Sequence, residues 1–187
     1  MKITRSLAAL LVFLIASSPS LLRGAVKFRV GGSAAYYIPQ EAVYKSIYGT
    51  GNLTFGTFLG LEIRKGLEIR AEFNYFRDNG AMTVNKEALT FTTQFIVAGL
   101  RIRVVNTRFF SPYLGLGIGS CSYKEQYPAR LGDASGRADC THAELGNYLQ
   151  ILKNIRFDIN VRYVISKSAG DIKLGGLRTG IGADLSF

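Results

Sequence analysis

Beyond residue 26 the sequence alternates with a period of two. Apolar side chains take every second position in run after run, and clusters of Gly, Asn, Asp and Ser separate the runs. A helix would repeat its apolar positions every three to four residues, so this pattern commits the chain to strands with two chemically different faces. In KFRVGGSAAYY, Phe28, Val30, Ala34 and Tyr36 oppose Arg29, Gly31, Ser33 and Ala35. In LTFGTFLGLEIR, Leu53, Phe55, Leu59, Leu61 and Ile63 oppose Thr54, Gly56, Gly60, Glu62 and Arg64. After a short turn at Lys65 and Gly66, LEIRAEFNYF sets Leu67, Ile69, Ala71, Phe73 and Tyr75 against Glu68, Arg70, Glu72 and Asn74.

The segment 88–104 changes parity, with Leu89, Phe91 and Phe95 on odd positions and Leu100, Ile102 and Val104 on even ones. A β-bulge near Val97 to Gly99 is predicted to restore the phase and turn Arg101 and Arg103 to the polar face. PYLGLGIGSCSY alternates Leu114, Leu116 and Ile118 with Gly115, Gly117, Gly119 and Cys121, and THAELGNYLQI places only Asn147 as a polar exception among Ala143, Leu145, Leu149 and Ile151. IRFDINVRYVI and KLGGLRTGIGADLSF complete eight strands. Connections after the second, fourth and sixth strands are short (Lys65 and Gly66, the stretch around Asn106, Lys153 and Asn154), and the others are longer. The first long connection, IPQEAVYKSIYGTG, predicts a brief helix opening at Pro39 and closing at Gly49, a lid or rim element.

The polar face has a composition of its own. It carries Glu62, Glu68, Glu72, Glu144, Asp158 and Asp184 together with Arg29, Arg64, Arg70, Arg101, Arg103, Arg156, Arg162 and Arg178. Every base is arginine although lysine is used elsewhere, and arginine suits enclosed, bidentate pairing with carboxylates. Glycines share the face, which makes room for long side chains in a narrow interior. The apolar face carries no charge in any segment. Alternation alone also fits a soluble barrel with its apolar face inward. The arginines and glycines favour the opposite arrangement, an eight-stranded antiparallel up-and-down transmembrane β-barrel with a charged lumen over residues 25–187.

The N-terminus supports export. Lys2 and Arg5 precede the apolar run Leu7 to Ile15, and Ser17, Ser18, Ser20, Gly24 and Ala25 form a small-residue zone. The run is too short for a hydrocarbon core about 30 Å thick, so residues 1–24 read as a signal peptide cleaved between residues 18 and 25. Its removal lowers the formal charge of +10 by three. No basic run points to nucleic acid, and the remaining excess suits lipopolysaccharide and phospholipid headgroups. No cofactor is implied, and the cysteine and histidine spacing matches no metal site. Cys121 and Cys140 fit an oxidising compartment; with shared parity at the ends of neighbouring strands, they are expected to form a disulfide at the foot of the loop KEQYPARLGDASGRAD.

The last strand ends in GIGADLSF, with Phe187 terminal, Leu185 two before it and Gly182 five before it. This resembles the carboxy-terminal signal that the barrel-assembly machinery reads in bacterial outer-membrane barrels, with Gly180 standing where a polar residue is preferred. Leu53 to Phe76, SPYLGLGIG and HAELGNYLQILKNIRFDINVRY resemble the outer-membrane β-barrel domain family, related to OmpA-type barrels. The resemblance implies a bacterial outer-membrane location; three functional classes come first, with adhesion or ligand capture by the long loops as a fourth that no motif supports. A salt-bridged, largely plugged barrel with a structural or surface-interaction role comes first, because unpaired buried charge is costly. A narrow ion-permeable pore is the second. A lipid A-modifying enzyme is the third: His142 lies two residues from Glu144 on the inward face, yet Ala143 follows His142 and Gly146 follows Leu145, so the His-x-Ser arrangement of lipid A acyl hydrolases is absent.

Overall fold

The computed structural model of the chain describes residues 26–81, 87–105, 107, 109–127, 132–169 and 172–187. The expected signal peptide, residues 1–24, and the turn residue Asn106 lie outside the described residues. Seven long strands follow one another as β1 (Lys27–Pro39), β2 (Asn52–Arg64), β3 (Leu67–Ala81), β4 (Ala88–Arg103), β5 (Ser111–Gln126), β6 (Asp133–Gln150) and β7 (Ile155–Ser166). A small ladder of β8 (Ser168–Ala169) and β9 (Ile172–Lys173) leads to β10 (Gly176–Ser186). The long strands form a closed barrel of eight, in which β10 returns to pair antiparallel with β1. Closure leaves no sheet edge, the condition for crossing a bilayer with strands.

The expected faces are present on most strands. Phe55, Leu59, Leu116, Leu145 and Ile181 are each at least 54 % exposed on the outer wall, whereas Arg29, Glu72, Arg101 and Asp158 are buried inside. Asn147, the polar exception, has a local use: its Oδ1 accepts the Ser111 N–H at 2.9 Å and secures the start of β5. Connections 65–66, 104–110 and 151–154 form a turn rim, and the remaining connections form a loop rim. At the turn between β2 and β3, Gly66 adopts a φ of 96° that a side chain would strain.

Two phase predictions fail for a common reason. The strand β4 carries no bulge: it pairs without a register shift with β3 from Leu67↔Ile102 to Ala81↔Ala88, and with β5 from Arg103↔Tyr113 to Thr90↔Gln126. Its odd positions face inward throughout, so Leu89, Phe91, Phe95 and Val97 are buried in the lumen. The register shift lies instead between Glu62 and Arg64, beside the Gly66 turn. That shift buries Ile63 and exposes Arg64, so Arg64 does not join the lumen charges. The first error came from treating the interior as uniformly polar, the second from carrying parity unbroken through a register shift.

The strands β3 to β6 continue past the apolar wall at the loop rim. Their outward residues there are polar, among them Arg77, Gln94, Lys124 and Arg137. The helix α1 (Ala42–Tyr48) bends over this end, buries Tyr44 and Tyr48, and stops at Gly49 with φ 93°. Pro39 ends β1 rather than opening the helix, which begins at Ala42.

Candidate functional site

The inward side chains form two layers in the lumen. Next to the turn rim and through the barrel centre lies an ion-pair network drawn from seven strands. Arg29 bridges Glu62 and Asp184 at 2.9 Å each, and Arg103 also pairs with Glu62. Arg156 joins Glu68 and Asp184, each at 2.8 Å. At the centre, Arg101 reaches Glu144 at 2.5 Å, Asp158 at 3.0 Å and Glu72 at 3.2 Å. Arg162 binds Glu72 and Glu144 from another side, both at 2.7 Å, while Arg70 lies 2.6 Å from Glu72 and Arg178 3.8 Å from it.

Of the fourteen residues expected in this network, all but Arg64 are in it. The network survives burial because each acid meets arginine and the arginines are further held by aromatic rings. The Arg156 guanidinium carbon lies 3.5 Å from the Tyr148 ring centre, and that of Arg70 lies 3.2 Å from the ring centre of Phe58. Tyr113 donates to Asp158 at 2.7 Å and stacks on Tyr148 with ring centres 4.4 Å apart. The inward glycines provide the expected space: a methyl group on Gly115 would meet the Glu144 carboxylate, and one on Gly146 the Tyr113 ring.

Above the ions lies an aromatic plug that the sequence reading missed. Tyr37, Phe76, Phe91, Phe95 and Tyr123 are buried together with Tyr44 and Tyr48 of α1. Phe91 and Tyr123 stack at 5.4 Å, and Tyr44 meets Phe91 edge to face at 5.0 Å. The available signal was parity, since Tyr37 is an even number of residues from Arg29, and Phe76 from Arg70.

Between the layers sits His142. It lines a cavity of about 20 Å³ with Tyr37, Thr54, Asn74, Arg162 and Arg178, room for about one water. Glu144, its expected companion, is instead bound to Arg101 and Arg162.

The expected disulfide is not formed: Cys121 and Cys140 are buried free thiols. Cys121 pairs across the ladder with Ala138 and Cys140 with Gly119. They are therefore diagonal neighbours on the inward face, with their thiols in hydrogen-bond contact but not joined. The loop they were expected to close is also largely absent, because β5 and β6 remain paired as far as Gln126 and Asp133. At the other rim Leu185 and Phe187 are exposed on the outer wall, and the Phe187 N–H donates to the Phe28 carbonyl at 2.9 Å.

Comparison with known proteins agrees with this architecture. The family model described as outer membrane protein beta-barrel domain matches residues 6–186. No curated protein matches the sequence. Among solved structures, neisserial surface protein A is similar with a TM-score of 0.67 at 15 % identity, covering 86 % of this chain and 97 % of its own. OprG from Pseudomonas aeruginosa gives 0.61 at 12 % identity, with 89 % and 98 % covered. Ail of Yersinia pestis, solved with the heparin analogue sucrose octasulfate, gives 0.54 at 17 % identity, with 87 % and 97 % covered.

Proposed function

The chain belongs to the outer membrane protein β-barrel domain family, and from that premise we propose that it is a closed barrel with a structural or surface-interaction role. The observation that carries this reading is the double filling of the lumen, ions across the centre and aromatics under a helical lid. An ion following the barrel axis would have to break Arg101 and Arg162 from shared acids and then pass Phe91 and Tyr44, which leaves neither a hydrated path nor a ring of unpaired charge. His142, enclosed between the layers, supports a role without catalysis.

The other partners follow from the outer surface. Lipid chains cover the apolar wall, and Arg77, Lys124, Arg137 and Lys167 at the loop rim meet anionic lipopolysaccharide and phospholipid headgroups. Residues 1–24 direct export and are removed, and the barrel-assembly machinery reads Gly182, Leu185 and Phe187 on β10. Reconstitution of the purified chain in planar bilayers tests the central reading. Silence at potentials that open porins is the expected result; steady unitary conductance overturns it in favour of the narrow pore.

A further inference from the structure

The described residues include seven buried carboxylates: Glu62, Glu68, Glu72, Glu125, Glu144, Asp158 and Asp184. Six have arginine partners within 4 Å. Glu125 has none among the described residues; its oxygens accept from two tyrosine hydroxyls, Tyr48 and, at 2.7 Å, Tyr127. A buried carboxylate that meets only neutral donors can favour an incoming cation.

Glu125 also lines a cleft. The cavity, about 370 Å³, lies at the loop rim between α1, the ends of β5 and β6, and β9. Tyr44, Tyr48, Tyr123 and Tyr127 contribute to its walls, Ile47 and Ile172 add apolar surface, and among the described residues the charged ones lining it are Glu41 and Glu125. The rings are fixed by packing: Tyr48 lies 4.9 Å from Tyr44 and 5.2 Å from Phe91, centre to centre. Burial, with the bond and charge of Glu125, pushes the Tyr48 hydroxyl up. The bond to Glu125 pushes Tyr127 up to about 12. Both hydroxyls remain donors at neutral pH, and donation to a carboxylate enriches the ring faces in electron density. Lys124, the nearest lysine in sequence, is turned to the outer wall and pairs with Asp133 at 2.8 Å.

We propose that this rim cleft binds a compact organic cation, an alkylammonium or quaternary ammonium group, between the tyrosine rings and against Glu125. Aromatic faces with a nearby carboxylate are the general chemistry of ammonium recognition, and the volume falls within the range of small-molecule sites. The proposal deepens the surface-interaction reading by naming a ligand class for the outward rim.

The test uses the full mature chain folded in micelles and three probes of one shape: choline, the neutral 3,3-dimethylbutan-1-ol and the anion 3,3-dimethylbutanoate. Saturation-transfer NMR is expected to show saturable binding of choline, with the alcohol weaker by about tenfold or more and the anion silent. Glu125→Gln removes the charge, keeps an acceptor for one of the two tyrosines and should weaken choline by about tenfold. A heat-dependent gel shift establishes that this variant is folded; if it is not, the probe comparison on the unaltered chain decides alone. Equal binding of choline and the alcohol, preference for the anion, or no saturable binding of choline overturns the proposal. Steady conductance with choline bound would overturn the closed-barrel reading alone, and a silent bilayer without choline binding would overturn only this one.

Discussion

Glu72 sits among four arginines, Arg70, Arg101, Arg162 and Arg178. Glu72→Ala strands that positive charge in a closed interior and should destabilise the folded barrel by about 3–5 kcal/mol, read as a lower midpoint in urea unfolding from lipid bilayers. Arg64 provides the contrast. It carries the same chemistry as Arg29 but is exposed beyond the β2 register shift, so Arg64→Ala should remain within about 0.5 kcal/mol of the parent in the same measurement. Alternation identified thirteen network residues correctly because side-chain direction follows from parity. It misplaced Arg64 because one extra residue before a tight turn reverses parity without leaving a mark in composition. The two cysteines make a third residue-scale prediction. The folded protein should resist maleimide labelling, and unfolding should release two reactive thiols. Failure to label after unfolding without reductant would show that they bridge in solution.

At the scale of elements, β4 shows what a pattern of apolar residues cannot decide. Leu89, Phe91 and Phe95 look like wall residues, yet they share the inward parity of Arg101 and enter the plug. A strand that leaves the lipid and continues above it exchanges its environments: the inner face becomes a dry core and the outer face becomes wet. Sequence alternation records the exchange only as an apparent change of phase. The helix α1 completes that upper core, and its removal should separate the two layers of filling. Replacing residues 40–51 with a short Gly-Ser linker should leave a barrel that still shows a heat-dependent gel shift and still does not conduct. On the closed-barrel proposal the ion network suffices without the lid, so conductance in this variant would mean that the aromatic layer alone had kept the lumen shut.

For the molecule as a whole, closure into an eight-stranded barrel was readable from the sequence because it follows from alternation repeated on many strands. The aromatic plug and rim cleft were not readable, because each depends on which residues of distant connections meet above the membrane. The projection of β3 to β6 has a consequence for approach from outside. On one side the paired strands rise past the lipid with polar outer faces, while on the other β1, β2, β7 and β10 reach their ends with apolar residues such as Ile38, Leu53, Ile165 and Leu177 still facing outward. Among the described strands the rim is therefore a parapet with one low side, which gives that end of the barrel a front and a back for anything that approaches it.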